Sequence, residues 1–322
     1  MGELRKDYIL DRWVIIASER GKRPHQFAKS KDSKKISQKD DFFAPGNEDM
    51  TPPEIMRVEN RDPKTRKKWP WKIRVFPNKF SAVRQKGNPV IRKQDRFHES
   101  SSNYGKHEVI AETPDKDKQL WDLGKQDIKG VIDVYCRRIQ EIGKIKGIKY
   151  VCVFKNSGRE AGTSILHSHS QVIGYNKVPE IVEQKAGAAK GKRKCPYCEI
   201  ISREMKTKRK CFNNKSFSAF TPYASRFPFE IWIFPKKHRN SIVQLEDSER
   251  KDLAEILQKV LRKLKKLNAP FNYAVYNSPA GKDLHFHIEV LPRLATWAGF
   301  EMFGTVINTM PPEEAAKFYR GN

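Results

Sequence analysis

Hydrophobic and polar positions alternate in a stretch near the middle of the chain. His167, His169 and Gln171 occupy alternate positions, directly before the apolar residues Val172 and Ile173. Alternate side chains of a β-strand lie on one face, so a strand here would align the three polar side chains in a row. Such a row would suit a nucleophile, a residue that holds it and a hydrogen-bond donor. The alternative is a polar strand face with two solvated histidines.

Two other segments carry apolar residues at helical spacing. Residues 128–142 and 253–267 each follow the i, i+3, i+4, i+7 pattern of an amphipathic helix, and Gly143 marks the end of the first. Residues 29–65 and 84–106 are polar and predict long loops. Short apolar segments predict strands at residues 11–17, 69–76, 107–112, 150–154, 217–220, 229–234 and 273–276, with two more that begin at His167 and His285.

The second half of the chain repeats the first. The segment His-Ser-His-Ser-Gln-Val from residue 167 corresponds to His-Phe-His-Ile-Glu-Val from residue 285, and residues 154–158 correspond to residues 275–279. A repeat of this length predicts two copies of one fold packed together. We therefore predict a first domain at residues 1–178, a basic helical linker at 179–194 and a second domain at 195–322.

Composition narrows the functional classes. With 322 residues, of which 38% are hydrophobic, the chain can bury a core, and it has no apolar run long enough for a membrane span. The N-terminus lacks the apolar segment of a signal peptide, which predicts a cytoplasmic protein. The net charge of +26 suits phosphate-bearing ligands or nucleic acid. No nucleic-acid-binding motif accompanies the charge, so nucleic acid is a possible but less favoured partner.

Four residues of the second half have the character of zinc ligands. Cys195 and Cys198 form a CxxC pair, and His238 and His285 complete a Cys₂His₂ set, which predicts one structural Zn²⁺ per chain, with His287 in reserve. The alternative is a pair of reduced cysteines on a tight turn. The corresponding first-half segments, residues 41–48 and 114–116, contain no cysteine or histidine. We predict no zinc there, with the charge of Lys116 as a candidate substitute.

Several motifs occur in the order of a known family. They are Arg-Gly-Lys-Arg-Pro at 20–24, Arg-Val-Phe-Pro-Asn-Lys-Phe at 74–80, His-Glu-Val-Ile at 107–110, the strand from His167, and Ala-Gly-Phe-Glu-Met at 298–302. With them the chain resembles the galactose-1-phosphate uridylyltransferases of the histidine-triad superfamily, near the branch that includes ADP-glucose phosphorylase. The resemblance implies an α+β fold of two histidine-triad-like repeats, a mostly antiparallel sheet with packed helices, and a homodimer.

The resemblance also implies an activity. His169 would attack the α-phosphorus of a nucleotide sugar, and the nucleotidyl-histidine would pass its nucleoside monophosphate to a hexose 1-phosphate in a ping-pong reaction, with Gln171 as hydrogen-bond donor. UDP-glucose is the favoured donor. The alternatives are an ADP-sugar phosphorylase or adenylyltransferase, and a catalytically dead protein that binds nucleic acid.

The remaining substrate contacts follow from the same resemblance. Arginines suit phosphate oxygens, asparagines the nucleotide, and an acidic residue the sugar hydroxyls. No chemistry is predicted for His25, His98 or His107. The implied substrate-binding residues are Arg20, Arg23, Asn78, Asn156, Gly162, Ser164, His167, Phe300 and Glu301.

Overall fold

The computed structural model describes residues 2–6, 13–16, 40–191 and 194–321. Fourteen strands and five α-helices lie in these ranges. The strands are β1 (Glu3–Lys6), β2 (Trp13–Ile16), β3 (Met56–Glu59), β4 (Trp71–Pro77), β5 (Arg92–Lys93), β6 (Glu99–Ser102), β7 (Gly105–Ala111), β8 (Tyr150–Ser157), β9 (His169–Tyr175), β10 (Lys210–Asn213), β11 (Phe217–Phe220), β12 (Ile231–Pro235), β13 (Phe271–Tyr276) and β14 (His287–Pro292). The helices are α1 (Lys125–Gly143), α2 (Glu180–Ala189), α3 (Pro196–Glu204), α4 (Asp247–Lys266) and α5 (Pro312–Arg320).

Ten of the strands form one sheet in the order β10-β11-β12-β14-β13-β8-β9-β7-β4-β3, and every neighbouring pair is antiparallel. The order is symmetrical about the pair β13–β8. In that pair Val153 lies opposite Val275 and Phe154 opposite Ala274, so the repeat aligned in the sequence becomes an approximate two-fold relation. The fold predicted from the sequence, two related halves with a mostly antiparallel sheet and packed helices, is confirmed.

The main core lies between this sheet and the long helices. Helix α1 buries Ile128, Val131 and Ile132, and α4 buries Leu253, Leu257 and Leu261, all within one hydrophobic cluster. These residues follow the helical spacing recognised in the sequence, since a helix buries one stripe of its surface. The two helices pack against each other, and α1 packs against β8 and β9. Helix α1 therefore supports β9, the strand that begins at His169.

Some boundaries differ from the sequence-based expectation. Strands β9 and β14 begin at His169 and His287, so His167 and His285 each lie two residues before a strand. Residues 84–106, expected to be a loop, contain β5 and β6, which join β1 and β2 in a separate four-stranded sheet. The polar side chains of 84–106 hid these strands, because both residues of β5 are exposed and most of β6 is only partly buried.

The segment between the two halves contains α2, consistent with the helical linker expected there. The division into domains at residues 179–194 stays a prediction, since the large sheet continues from one half to the other through β8 and β13. None of the helices in the described ranges combines the length and apolar character needed to cross a bilayer.

Candidate active site and metal centre

His169 lies at the start of β9, buried to 7% exposure. Its Nδ1 lies 2.8 Å from the backbone oxygen of His167, an acceptor, so Nδ1 carries a proton and Nε2 carries the lone pair. Burial, followed by the positive charge of Lys155, lowers the pKa of His169 to about 4. The ring is therefore neutral near pH 7, with Nε2 in the form that a nucleophile requires.

His167 is held by protein acceptors at both ring nitrogens. Its Nδ1 lies 2.6 Å from Oδ2 of Asp41, and its Nε2 lies 2.6 Å from the carbonyl oxygen of Thr113. The candidate substitute charge named in the sequence, Lys116, lies instead beside Asp117, with its Nζ 2.9 Å from Oδ1. Asp41 is the acidic residue that meets this histidine, and the charge of Lys116 also acts on Asp41. The role of Lys116 as a substitute charge stays a prediction.

Gln171 is oriented by a residue for which the sequence predicted no chemistry. The backbone N–H of Ala82 donates to Nδ1 of His107, so the ring proton lies on Nε2, which donates to Oε1 of Gln171 over 2.9 Å. The side-chain amide of Asn78 also faces this oxygen, at 3.4 Å. Because His107 and Asn78 both contact the oxygen of Gln171, its N–H₂ group is left to donate to a ligand. His107 belongs to the motif at 107–110, which was the available signal.

A buried polar network lies on the opposite face of β9. Lys155 donates to Glu112, to the hydroxyl of Ser168 and to the backbone oxygen of His169, over 2.5, 3.0 and 3.1 Å. Ser170 donates to the same Glu112 carboxylate. Burial alone would raise the pKa of Glu112, but the Lys155 charge and these hydrogen bonds lower it below its ordinary value. The sequence analysis missed this network, because its members alternate with the histidines and lie far apart in the chain.

An apolar cluster surrounds the two histidines. Phe43 contacts the rings of His167 and His169 edge-on, with centroids 5.8 and 5.5 Å away. Phe43 also belongs to a buried cluster with Trp71 and Phe76, against which Ile165 packs. The loop that contains Phe43 therefore closes one side of the site and restricts water around the imidazoles.

The other residues expected around the nucleotide differ in how directly the structure connects them to β9. Asn78 joins Gln171 as described, and its Oδ1 also accepts the N–H of Phe80 in a turn. Asn156 lies on β8 and accepts a hydrogen bond from Asn272 over 2.9 Å. Gly162 is exposed, with φ at +83°, a conformation that favours glycine, and Ser164 is exposed in the loop that follows.

Nothing in the described residues connects the other four expected substrate contacts to His169. Arg20 and Arg23 lie outside the described residues. Phe300 and Glu301 lie in a short 3₁₀ helix of the second half, where the carboxylate of Glu301 accepts the backbone N–H groups of Ala298 and Ile307. Their roles stay predictions.

The four predicted metal ligands converge. The ligand atoms of Cys195, Cys198, His238 and His285 all lie within 4.8 Å of one another. Sγ of Cys198 is 3.4 Å from Nδ1 of both histidines, and Sγ of Cys195 is 4.0 Å from Nδ1 of His285. The ligand atoms of a tetrahedral zinc would be roughly 3.3–3.8 Å apart. The cluster could hold a metal ion, and its donor set fits zinc.

Local structure explains why these ligands meet. Cys195 occupies the N-cap position of helix α3 and Cys198 lies in its first turn, so the start of this helix brings the two thiols together. The outer nitrogens of the histidines are engaged as well. Nε2 of His238 lies 2.9 Å from Oδ1 of Asp283, and Nε2 of His285 donates to the carbonyl oxygen of Pro235. Such outer partners orient metal-binding imidazoles.

The second copy of the histidine strand is enclosed. His287, at the position of His169, stacks between Phe234 and Tyr276, with centroids 4.8 and 4.7 Å away. Lys185 of helix α2 lies 3.4 Å from its Nε2 and donates to Glu289, at the position of Gln171, over 2.6 Å. His287 is fully buried in this arrangement, and it is not part of the Cys₂His₂ cluster. His285, the first choice from the sequence, occupies the cluster.

Comparisons with known proteins match both halves of the chain. Residues 2–179 match the model of the galactose-1-phosphate uridyl transferase N-terminal domain, and residues 153–320 match that of its C-terminal domain. An ADP-glucose phosphorylase of Arabidopsis thaliana is 34% identical over 99% of this chain and 92% of its own length. A galactose-1-phosphate uridylyltransferase of Thermotoga maritima is 29% identical over 99% of this chain and 98% of its own.

Solved structures give the same result. The crystal structure of the Arabidopsis thaliana ADP-glucose phosphorylase with bound ADP-glucose has a TM-score of 0.76 and 31% identity, and covers 100% of this chain and 99% of its own. A uridylyltransferase structure has a TM-score of 0.79 and 25% identity, and covers 99% of this chain and 97% of its own. The chain belongs to the galactose-1-phosphate uridyl transferase family.

Proposed function

We propose that the protein transfers a nucleoside monophosphate from a nucleotide sugar to a hexose 1-phosphate, through a nucleotidyl-histidine at His169. The observation that carries the proposal is the state of this ring. Its Nδ1 is tied to the His167 carbonyl, its pKa is about 4, and no hydrogen-bond partner of Nε2 is found in the part of the chain that the structure describes. A neutral imidazole with one free nitrogen at the start of a strand is suited to attack phosphorus.

The reaction divides into two displacements. The lone pair of Nε2 attacks the α-phosphorus, the bond to the bridging oxygen breaks, and the sugar 1-phosphate leaves with that electron pair. The phosphorylated ring becomes a cation that keeps its proton on Nδ1, and the carbonyl of His167 stabilises this charge. An acceptor phosphate then attacks the same phosphorus, and the imidazole leaves neutral. No strong general acid is required, since each leaving group is stable as it departs.

Gln171 supports the transition state in this scheme. Because His107 engages its oxygen, its N–H₂ group is free to donate to a non-bridging oxygen of the α-phosphate as charge rearranges there. Asn78, Asn156, Gly162 and Ser164 remain the proposed contacts for the nucleotide and its phosphates. Arg20 and Arg23 are proposed to bind phosphate oxygens.

The relatives differ in the nucleotide base that their names indicate. Uridylyl transfer from UDP-glucose remains our first proposal, since several of the relatives carry the uridylyltransferase name. Adenylyl transfer or phosphorolysis of an ADP-sugar is the second, and it is favoured by the 34% identity to an ADP-glucose phosphorylase. Both use the same nucleophile and the same phosphorus.

One experiment tests the nucleophile and the base together. The protein is incubated with UDP-glucose or ADP-glucose radiolabelled in the α-phosphate, then denatured, and protein-bound label is counted. We expect label with one nucleotide sugar, none with His169→Ala, and undiminished label with His98→Ala, an exposed histidine paired with Asp95. Label that persists in His169→Ala contradicts the proposed nucleophile, and label from neither donor contradicts the proposed function.

We also propose a homodimer. The segment 297–307 exposes large apolar side chains, with Phe303 at 88% and Met302 at 72% exposure, and a surface of this kind often marks an interface. Within this segment, the ring of Trp297 stacks on the ring of Phe227. If Phe300 and Glu301 contact the sugar, they would do so in the partner's site. Mixing inactive His169→Ala with inactive Glu301→Ala should then restore part of the activity, and no restoration would argue against a shared site.

A zinc ion and a cytoplasmic location complete the proposal. The Cys₂His₂ donor set would bind zinc in a structural role, because four protein ligands leave no position for substrate. None of the five cysteines is paired in a disulfide, as expected for a protein that stays in a reducing compartment.

A further inference from the structure

The equivalent histidines of the two halves, His285 and His167, make parallel contacts. In the second half, His285 donates from Nε2 to the carbonyl oxygen of Pro235 and directs Nδ1 at Cys198. In the first half, His167 directs Nε2 at the carbonyl oxygen of Thr113 and Nδ1 at Asp41. A carboxylate therefore lies where the other half places thiolates.

The hydrogen bonds determine how many protons the His167 ring carries. A carbonyl oxygen only accepts, so the 2.6 Å contact with Thr113 requires a proton on Nε2. An ionised carboxylate also only accepts, so the 2.6 Å contact between Nδ1 and Oδ2 of Asp41 places a second proton on the ring when Asp41 is ionised. The doubly protonated ring is a cation, and both it and Asp41 are almost fully buried, at 3% and 4% exposure. Paired opposite charges are the arrangement that such burial tolerates.

Asp41 connects this pair to the nucleophile by two further contacts. Its other carboxylate oxygen accepts the backbone N–H of Phe43 over 3.1 Å, and the Phe43 ring packs edge-on against His169. The backbone oxygen of His167 accepts the Nδ1 proton of His169. The Asp41 carboxylate thus fixes Phe43, whose ring packs against the nucleophile, and His167, whose backbone oxygen accepts the Nδ1 proton of the nucleophile.

We propose that Asp41 is a positioning residue, which holds His167 as an imidazolium and so performs in the first half the task that the Cys₂His₂ cluster performs in the second. The effect on catalysis rests on the proposed function, whereas the ion pair itself does not. The pair fixes the backbone before β9 without a metal ion. Because the carbonyl of His167 accepts the Nδ1 proton of His169, the pair also fixes the orientation of the His169 ring.

The first test measures the pair directly. The chain is labelled with ¹⁵N-histidine, and the ring nitrogens of His167 are recorded near pH 7 and assigned by their loss in His167→Gln or their shift in Asp41→Asn. We expect both nitrogens of His167 at the shift of protonated imidazole. An unprotonated Nδ1 would mean that Asp41 carries the proton, and would overturn the proposal whatever the activity of the enzyme.

The second test separates positioning from binding. Asp41→Asn removes the charge but keeps the size, and it should slow formation of nucleotidyl-His169 by about 100-fold, the scale of a small misplacement of a reacting group, with nucleotide-sugar affinity nearly unchanged. Asp41→Glu, which restores the carboxylate, should recover part of the rate. Asp95→Asn is the matched control, since Asp95 is an exposed aspartate paired with the exposed His98, and its rate should equal that of the wild type.

The outcomes separate this inference from the proposed function. If wild-type protein labels at His169 and Asp41→Asn labels equally fast, the positioning role is wrong while the nucleophile stands. If wild-type protein takes no label, the proposed function is wrong, and the nitrogen shifts still decide whether the ion pair exists. Thermal unfolding of each variant identifies any loss of rate that comes from misfolding, in which case the Asp41→Glu comparison decides.

Discussion

The Nζ atom of Lys155 lies 3.1 Å from the backbone carbonyl oxygen of His169 and 2.5 Å from the carboxylate of Glu112. Lys155 is 1% exposed and Glu112 is fully buried. The ion pair therefore lies directly beneath the predicted nucleophile, on the face of β9 away from the site. It fixes the strand and contributes the positive charge that helps to keep the imidazole unprotonated.

Removal of one partner of this pair should be costly. Lys155→Met leaves the carboxylate of Glu112 buried without its counter-charge, and we expect a loss of about 3–5 kcal/mol in the free energy of unfolding. The double variant Lys155→Met/Glu112→Gln, with no buried charge left, should recover most of that loss. Denaturant unfolding monitored by circular dichroism measures both. Equal losses in the single and double variants would contradict a paired charge.

The reaction should have an unusual acid limb. A folded-state pKa of about 4 for His169, against the ordinary 6.5, keeps Nε2 unprotonated as the pH falls through 6.5. The rate of nucleotidyl-histidine formation in a single turnover should therefore stay level through that pH and decline only as the pH approaches about 4. A rate that halves near pH 6.5 would show that the imidazole titrates as an exposed group.

The same shift has a consequence for stability. In the unfolded chain His169 binds a proton below about pH 6.5, whereas in the folded protein it does so only below about 4. The unfolded state therefore binds more protons in this window, and the contribution of His169 to stability becomes more unfavourable as the pH falls through it. In His169→Gln the loss of stability between pH 7 and 5 should be smaller than in the wild type, as measured by thermal unfolding. Identical profiles would contradict the shift.

His107 should matter through Gln171. In His107→Leu the oxygen of Gln171 loses its nearer donor and keeps only the 3.4 Å contact with Asn78, so the amide is held less firmly. We expect the transfer rate to fall by about tenfold, equivalent to one ordinary hydrogen bond. Nucleotide-sugar affinity should change little. His98→Leu, which alters an exposed histidine, is the matched control. If the two variants have equal rates, His107 does not orient Gln171.

Metal content should follow the second-half cluster. Elemental analysis should find about one zinc per chain, and Cys198→Ser should lose it together with part of the thermal stability, because structural zinc contributes to the free energy of folding. Cys211→Ser removes a buried thiol outside the cluster and should keep the metal. Two zinc ions per chain would show that the first half binds metal as well.

The second histidine strand should be catalytically silent. His287 is stacked between aromatic rings and faces Lys185, so no phosphorus can approach its Nε2 without movement of α2. His287→Asn should therefore leave label at His169 intact, after correction for any unfolded fraction measured by circular dichroism. Label that disappears from a folded His287→Asn protein would assign this strand a part in the reaction.

The repeat, the two long helices and most strands of the large sheet were evident from the sequence, because alternation and helical spacing record burial locally. The CxxC pair and the chemistry of cysteine and histidine likewise predicted the four residues that meet in the cluster. Strands β5 and β6 of the small sheet were missed because their polar side chains carry no such record.

The surroundings of His169 depended on the tertiary structure. Asp41 meets His167 across 126 positions of sequence, His107 meets Gln171 across 64, and Glu112 meets Lys155 across 43. No local pattern connects such pairs, since they become neighbours only when β7, β8 and β9 align and the loop with Asp41 closes over them. The sequence alone identified His169 as the nucleophile candidate. The folded structure determined which charges and hydrogen bonds keep its imidazole neutral and correctly oriented.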